Sequence, residues 1–176
     1  MRVLLVDPPD LFLEGTGLTR QVLPMGLGSL AAVLKPHHDV AMLLPDARVY
    51  TGGDPWGEIV RAAVAYAPDV IGLTSVTATW PAARKLIGYF ATALPGVPII
   101  VGGVHVTFCP DEAARVPGVY AVVIGEGEET LPALLSGISA ERAGQPFDPA
   151  SVPGVAVADN EGVVRRGPSR LALRDL

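Results

Sequence analysis

The chain has 176 residues, 49% of them hydrophobic, enough for one domain with a substantial core and a short appendage. Its 13 Lys+Arg against 18 Asp+Glu leave a net charge of −5, which excludes the basic field that a nucleic-acid partner requires; one cysteine excludes an intrachain disulfide and a cysteine cluster able by itself to hold zinc or iron–sulfur. No signal-peptide pattern precedes Val3-Leu4-Leu5-Val6, and no run reaches the ~18 apolar residues of a membrane span, so a soluble, cytoplasmic protein without a membrane partner is expected.

In chain order, apolar runs predict strands at residues 2–7, 39–44, 70–75, 98–101 and 121–124. Between them, i, i+3, i+4, i+7 spacing predicts helices carrying Leu27, Leu30, Ala31 and Leu34; Ile59, Ala62, Ala63 and Tyr66; Leu86, Tyr89, Phe90 and Ala93; and Leu131, Leu134, Leu135 and Ile138. Asp54-Pro55 and Thr79-Trp80-Pro81 place a capping side chain before a first-turn proline, and Pro36, Pro68 and Pro95 end helices. Such alternation is that of an α/β sandwich, a parallel sheet with helices on both faces, and the flavodoxin-like strand order 2-1-3-4-5 is expected, with a ligand beyond the carboxyl ends of the strands. After the breaker-rich stretch 139–146, Val155-Ala156-Val157 and Val163-Val164-Arg165 flank Asp159-Asn160-Glu161-Gly162 and predict a β-hairpin, which must pack on the main domain or on something outside this chain.

The carboxyl edge collects the residues with chemistry. Two glycine bends, Gly102-Gly103-Val104-His105-Val106-Thr107 and Gly125-Glu126-Gly127-Glu128-Glu129-Thr130, each follow a strand; glycine lets main chain approach a ligand, and the pair suits a phosphorylated one. Ser75 and Thr77, flanking Val76, either donate to a ligand or satisfy main chain. His105 either contacts the ligand or packs its loop, whereas His37 and His38 fall at the opposite edge. Cys109 reads as a small apolar filler, the acids Asp7, Asp10 and Glu14 as solvated or capping groups, and Glu126, Glu128 and Glu129 as acids favoured by a helix start. No catalytic triad, paired-histidine helix, P-loop lysine or metal-ligand set is present in the pattern, so no catalytic residue is assigned.

These motifs together resemble a known family. The opening Val3-Leu4-Leu5-Val6-Asp7-Pro8-Pro9, the run Pro24-Met25-Gly26-Leu27-Gly28-Ser29-Leu30-Ala31, Pro68-Asp69-Val70-Ile71-Gly72-Leu73-Thr74-Ser75, the first glycine bend followed by Pro110-Asp111-Glu112, and the second bend make the chain similar to the N-terminal cobalamin (B12)-binding domain of class B, cobalamin-dependent radical SAM enzymes. The resemblance implies a three-layer Rossmann-like fold whose carboxyl edge receives the nucleotide tail of cobalamin. The implied cofactor contacts are Ser75, Val76, Thr77, Gly102, Gly103, His105, Thr107, Gly125, Glu126, Gly127 and Thr130.

Two departures refine what the resemblance implies. Better-known cobalamin domains carry Asp-x-His-x-x-Gly after strand 1, and the loop 8–25 has no histidine, so a base-off cobalamin without an imidazole from that motif is implied. A [4Fe–4S] cluster needs Cys-x-x-x-Cys-x-x-Cys, so the cluster and S-adenosylmethionine belong to an absent radical SAM barrel of the same full-length chain, the implied partner. Residues 1–140 are then the cobalamin-binding domain, and 141–176 a hairpin and linker leading towards that barrel, where methyl transfer or a porphyrin-ring cyclisation takes place. The alternatives are a degenerate structural or docking domain that binds no corrinoid, and a flavodoxin-like nucleotide-binding domain; against the latter, strand 1 lacks a following G-x-G-x-x-G turn.

Overall fold

Runs of β-branched and leucine residues bounded by proline, glycine or aspartate form β1 (Arg2–Val6), β2 (Asp39–Leu43), β3 (Val70–Thr74), β4 (Ile99–Gly102) and β5 (Val119–Val123), which pair with one another in parallel. The computed structural model describes residues 1–10, 24–44 and 54–170; Glu14, most of the loop 8–25 and the segment 171–176 lie outside the described residues. Strand order is β2-β1-β3-β4-β5-β6-β7, so the expected 2-1-3-4-5 arrangement is present. The predicted hairpin, β6 (Val155–Ala158) and β7 (Val164–Arg166), does more than pack on the domain. It pairs antiparallel with β5 and extends the sheet to seven strands.

Helices α1 (Met25–Leu34), α2 (Pro55–Tyr66) and α3 (Trp80–Ala93) form where the spacing predicts them, and the α1 stripe faces the core, but Ala62 of α2 and Tyr89 and Ala93 of α3 are exposed, because α3 turns Ala83, Leu86, Ile87 and Phe90 inward instead. Asp54 caps α2 as expected, its carboxylate accepting from Gly57 N at 3.0 Å. Thr79 does not cap α3. Its backbone is already helical (φ −95°, ψ −2°), so its hydroxyl faces back to Val76 and closes the 3₁₀ turn Thr77–Thr79. The crossover from β4 to β5 is two short helices, α4 (Val104–Phe108) and α5 (Pro110–Ala114), because Pro110 has no N–H to continue the first. Helix α6 (Thr130–Arg142) precedes the hairpin.

Side-chain alternation along the strands divides the core. Leu4, Val6, Ile71, Leu73, Ile99 and Val101 pack beneath α2, α3 and the α4–α5 pair, while Val3, Leu5, Val70, Ile100 and Val123 pack beneath α1 and α6. The hairpin enters both layers, through Ala156 on one side and Val155 and Val157 on the other. No helix among the described residues is long and apolar enough to cross a membrane.

Candidate functional site

The second layer is incomplete at the carboxyl ends of the strands. There, between α1 and α6 and over a floor of small or short residues, among them Gly72, Thr74 and Gly102, lies a cavity of about 420 Å³. Its walls are Leu27 and Leu30 of α1, Leu131 of α6, and Ile100 and Val123 of the sheet; its mouth carries Val76, Val104 and Phe108, all exposed. Met25 stands nearby at the start of α1, 81% exposed like Phe108.

Both glycine bends line this space, and each needs its glycine for a different reason. Gly103 holds φ +100° and ψ 178°, a conformation essentially restricted to glycine. A Cβ there would stand 2.6 Å from Ser75 O and 2.8 Å from Thr74 Oγ1. Gly125, at φ +79°, has nothing within 4 Å of where a Cβ would stand, so it leaves open space at the mouth. Thr107 joins the bends: its hydroxyl donates to Gly103 O (3.0 Å) and accepts from Gly125 N (3.0 Å). On the opposite side Ser29 of α1 donates to Glu128 at 2.7 Å, fixing the second bend against α1.

Of the sequence-expected contacts, Val76, Gly102, Gly103, Thr107, Gly125, Glu126 and Gly127 line the cavity. Ser75, Thr77, His105 and Thr130 do not. Ser75 is fully buried and its hydroxyl donates to Val76 O, the main-chain alternative of the two left open by the sequence. The Thr130 hydroxyl donates to Pro153 O and accepts from Arg170. His105 turns to the other face of the sheet, stacked on Trp80 (centroids 4.7 Å apart) with Nδ1 3.4 Å from Thr77 Oγ1. Asp7, expected as a solvated or capping group, is not solvated: it is 4% exposed and lines the cavity, directly after the end of β1. The floor residues Gly72 and Thr74 were not among the expected contacts, although both lie in the 68–75 motif and Gly72 interrupts an apolar strand.

His37 and His38 lie at the amino edge as expected, both amides donating to Leu34 O at the end of α1. Burial chiefly, with the terminal amino group and His37, pushes the pKa of His38 down.

Comparison with known proteins places this geometry. The chain is 30% identical over 179 residues to an uncharacterized methyltransferase of Pyrococcus horikoshii, matching 100% of this chain and 36% of that protein. It is 28% identical to an anaerobic magnesium-protoporphyrin IX monomethyl ester cyclase of Synechocystis, over 100% of this chain and 34% of the cyclase. The chain thus spans about a third of the length of the curated relatives it matches. In fold it is similar to the radical S-adenosylmethionine methyltransferase TsrM from Kitasatospora setae, solved with cobalamin and a [4Fe–4S] cluster bound, with a TM-score of 0.75 at 23% identity over 98% of this chain and 30% of that one. The B12 binding domain model matches residues 18–135, most of the described cavity included, and the chain belongs to the B12-binding domain family.

Proposed function

We propose that the cavity holds the nucleotide tail of cobalamin and that the chain is the corrinoid-carrying part of a cobalamin-dependent radical SAM protein. The observation that carries this reading is the cavity itself: about 420 Å³ admits a benzimidazole with its ribose phosphate but not a corrin ring. The ring would then rest outside, against the exposed apolar rim of Val76, Val104 and Phe108. The residues present fit such a group. Gly102, Gly125 and Gly127 offer main chain to it, Ile100, Val123 and Leu131 offer apolar walls, and Thr74 and Thr107 offer hydroxyls. When bound, the corrinoid supplies a cobalt centre that carries and releases an alkyl group.

With its tail in the cavity, the corrinoid would be base-off, and no imidazole of this chain would replace the base. The sequence holds three histidines; two sit at the amino edge and His105 faces away from the cavity. We assign residues 1–140 to corrinoid binding and 141–176 to the connection with a radical SAM barrel, which supplies the iron–sulfur cluster and S-adenosylmethionine. The similarity to longer relatives, one a methyltransferase and one a cyclase by name, supports this division.

Hydroxocobalamin mixed with the purified chain tests the reading. Co-elution with a shifted corrinoid spectrum is expected, and the cob(II)alamin form should give an electron paramagnetic resonance spectrum without nitrogen superhyperfine structure. A chain that leaves the column colourless at high cofactor excess is instead a docking domain without corrinoid; imidazole splitting would overturn the axial assignment alone.

A further inference from the structure

A second cluster of chemistry lies on the opposite side of α4 from the cavity. His105, Cys109 and Glu112 follow one another at i, i+4 and i+7 across the α4–α5 junction, and one donor atom of each lies within 4.8 Å of the other two. Three such atoms leave a central point about 2.8 Å from each at most, so inward side-chain movements of under about 1 Å reach the 2.0–2.3 Å bonds of zinc.

The buried member points to a ligand independently of that spacing. His105 is 8% exposed, and its Nε2 is fully buried with no hydrogen-bond partner among the described residues. A bare imidazole nitrogen in that position is costly unless something occupies its lone pair. The other nitrogen, Nδ1, lies 3.4 Å from Thr77 Oγ1, where a metal-ligating histidine places the outer partner of its second nitrogen. Glu112 is oriented in the same manner: Trp80 Nε1 donates to its Oε1 at 2.8 Å, leaving the second carboxylate oxygen available. Trp80 also stacks on the His105 ring, so a single indole positions two of the three groups.

We infer that His105, Cys109 and Glu112 form a zinc site distinct from the corrinoid cavity. A nitrogen, a sulfur and an oxygen donor are a borderline set that suits zinc, and three protein ligands leave the fourth tetrahedral position to water. Access exists, since Cys109 is half-buried and Glu112 exposed. On binding, the thiol gives its proton to solvent and the carboxylate and thiolate neutralise the dication. The site ties α4 to α5 across the break at Pro110, and α4 carries Thr107 and the exposed Phe108 to the cavity mouth.

Cobalt(II) serves as the spectroscopic probe for the corrinoid-free chain under reducing conditions. Titration should give a thiolate-to-cobalt charge-transfer band saturating at one equivalent, displaced by zinc. Cys109→Ser should abolish the band. His105→Phe, which keeps the stack on Trp80, and Glu112→Gln, which keeps an acceptor for the indole, should each weaken binding by at least about tenfold while circular dichroism stays unchanged. Absence of the band, or Cys109→Ser binding cobalt as tightly as the parent, would overturn the site and leave only a cation held loosely by surface carboxylates; neither result bears on corrinoid binding.

Discussion

At the amino rim of the sheet, charged side chains fasten the strand ends to one another. The Asp69 carboxylate accepts from Arg2 N (2.7 Å) and from Arg142 Nη1 (2.8 Å), Arg142 Nη2 donates to Asp69 O, and the Arg2 guanidinium lies 4.4 Å over the Tyr66 ring, whose hydroxyl donates to Asp39 O. At the carboxyl rim, main-chain bends and apolar side chains border a hole, and a single hydroxyl, that of Thr107, holds the two bends together. The difference assigns tasks. Polar clamps at one end hold strands and helices in register, which leaves the other end able to tolerate a void and exposed apolar surface, both of which cost stability until a ligand covers them.

Substitutions that respect this division should separate stability from binding, and those at its boundary should lose both. Gly103→Ala stands at the boundary: its Cβ meets Ser75 main chain in a backbone conformation restricted to glycine, so thermal or urea unfolding should show a loss of about 3 kcal/mol or more. Gly102→Val is its counterpart, since a Cβ there meets nothing nearer than Val123 at 3.9 Å while the rest of the side chain enters the cavity. Unfolding should be nearly unchanged, and hydroxocobalamin affinity should fall about a hundredfold, or about 2.7 kcal/mol. Equal affinity would place the tail elsewhere.

Thr107→Val removes the hydrogen bond between the bends and a second one within the first bend, and should cost about 2 kcal/mol in stability, with weaker corrinoid binding as the bends separate. Asp69→Ala, at the other rim, should cost about 1 kcal/mol after screening of this part-exposed group, and leave corrinoid affinity intact. The Arg2 backbone N–H first, then the Arg142 guanidinium, hold the Asp69 carboxyl below its usual range. The contribution is therefore present above the unfolded-state pKa near 3.9 and is lost as pH falls through the lower folded value, so the parent and Asp69→Ala unfolding curves should converge in acid. The smallest effect is a gain: Ala67 ends α2 at φ +50°, and Ala67→Gly should add about 0.5 kcal/mol by relieving a left-handed conformation that alanine adopts with strain.

Periodicity carried most of the fold because each helix buries one stripe and each strand two faces: the stripes Leu27–Leu30–Ala31–Leu34 of α1 and Leu131–Leu134–Leu135–Ile138 of α6 face the core, whereas in α2 and α3 the spacing locates the helix but counts the exposed Ala62, Tyr89 and Ala93 as core. The α4–α5 crossover was not readable in this way, since Pro110 breaks it into two helices of five residues each, too short to carry a periodic signal of their own. The glycine bends marked the site because a demand on main-chain conformation is local. Which way a polar side chain turns is decided by tertiary partners instead: His105 leaves the cavity for Trp80 and Thr77, Ser75 for its neighbour's carbonyl, and Asp7 enters the cavity because the strand that bears it ends there.

The last strand has a consequence for solution behaviour. β7 is three residues long and presents Arg165 and Arg166, which pair with Asp148 and Asp111 respectively. An unpaired strand border is a template for another chain, and one this short and this densely charged gives an incoming strand little hydrogen bonding to gain and two ion pairs to disturb. The antiparallel extension therefore ends the sheet in a border that resists polymerisation, where a bare β5 would have offered an apolar one.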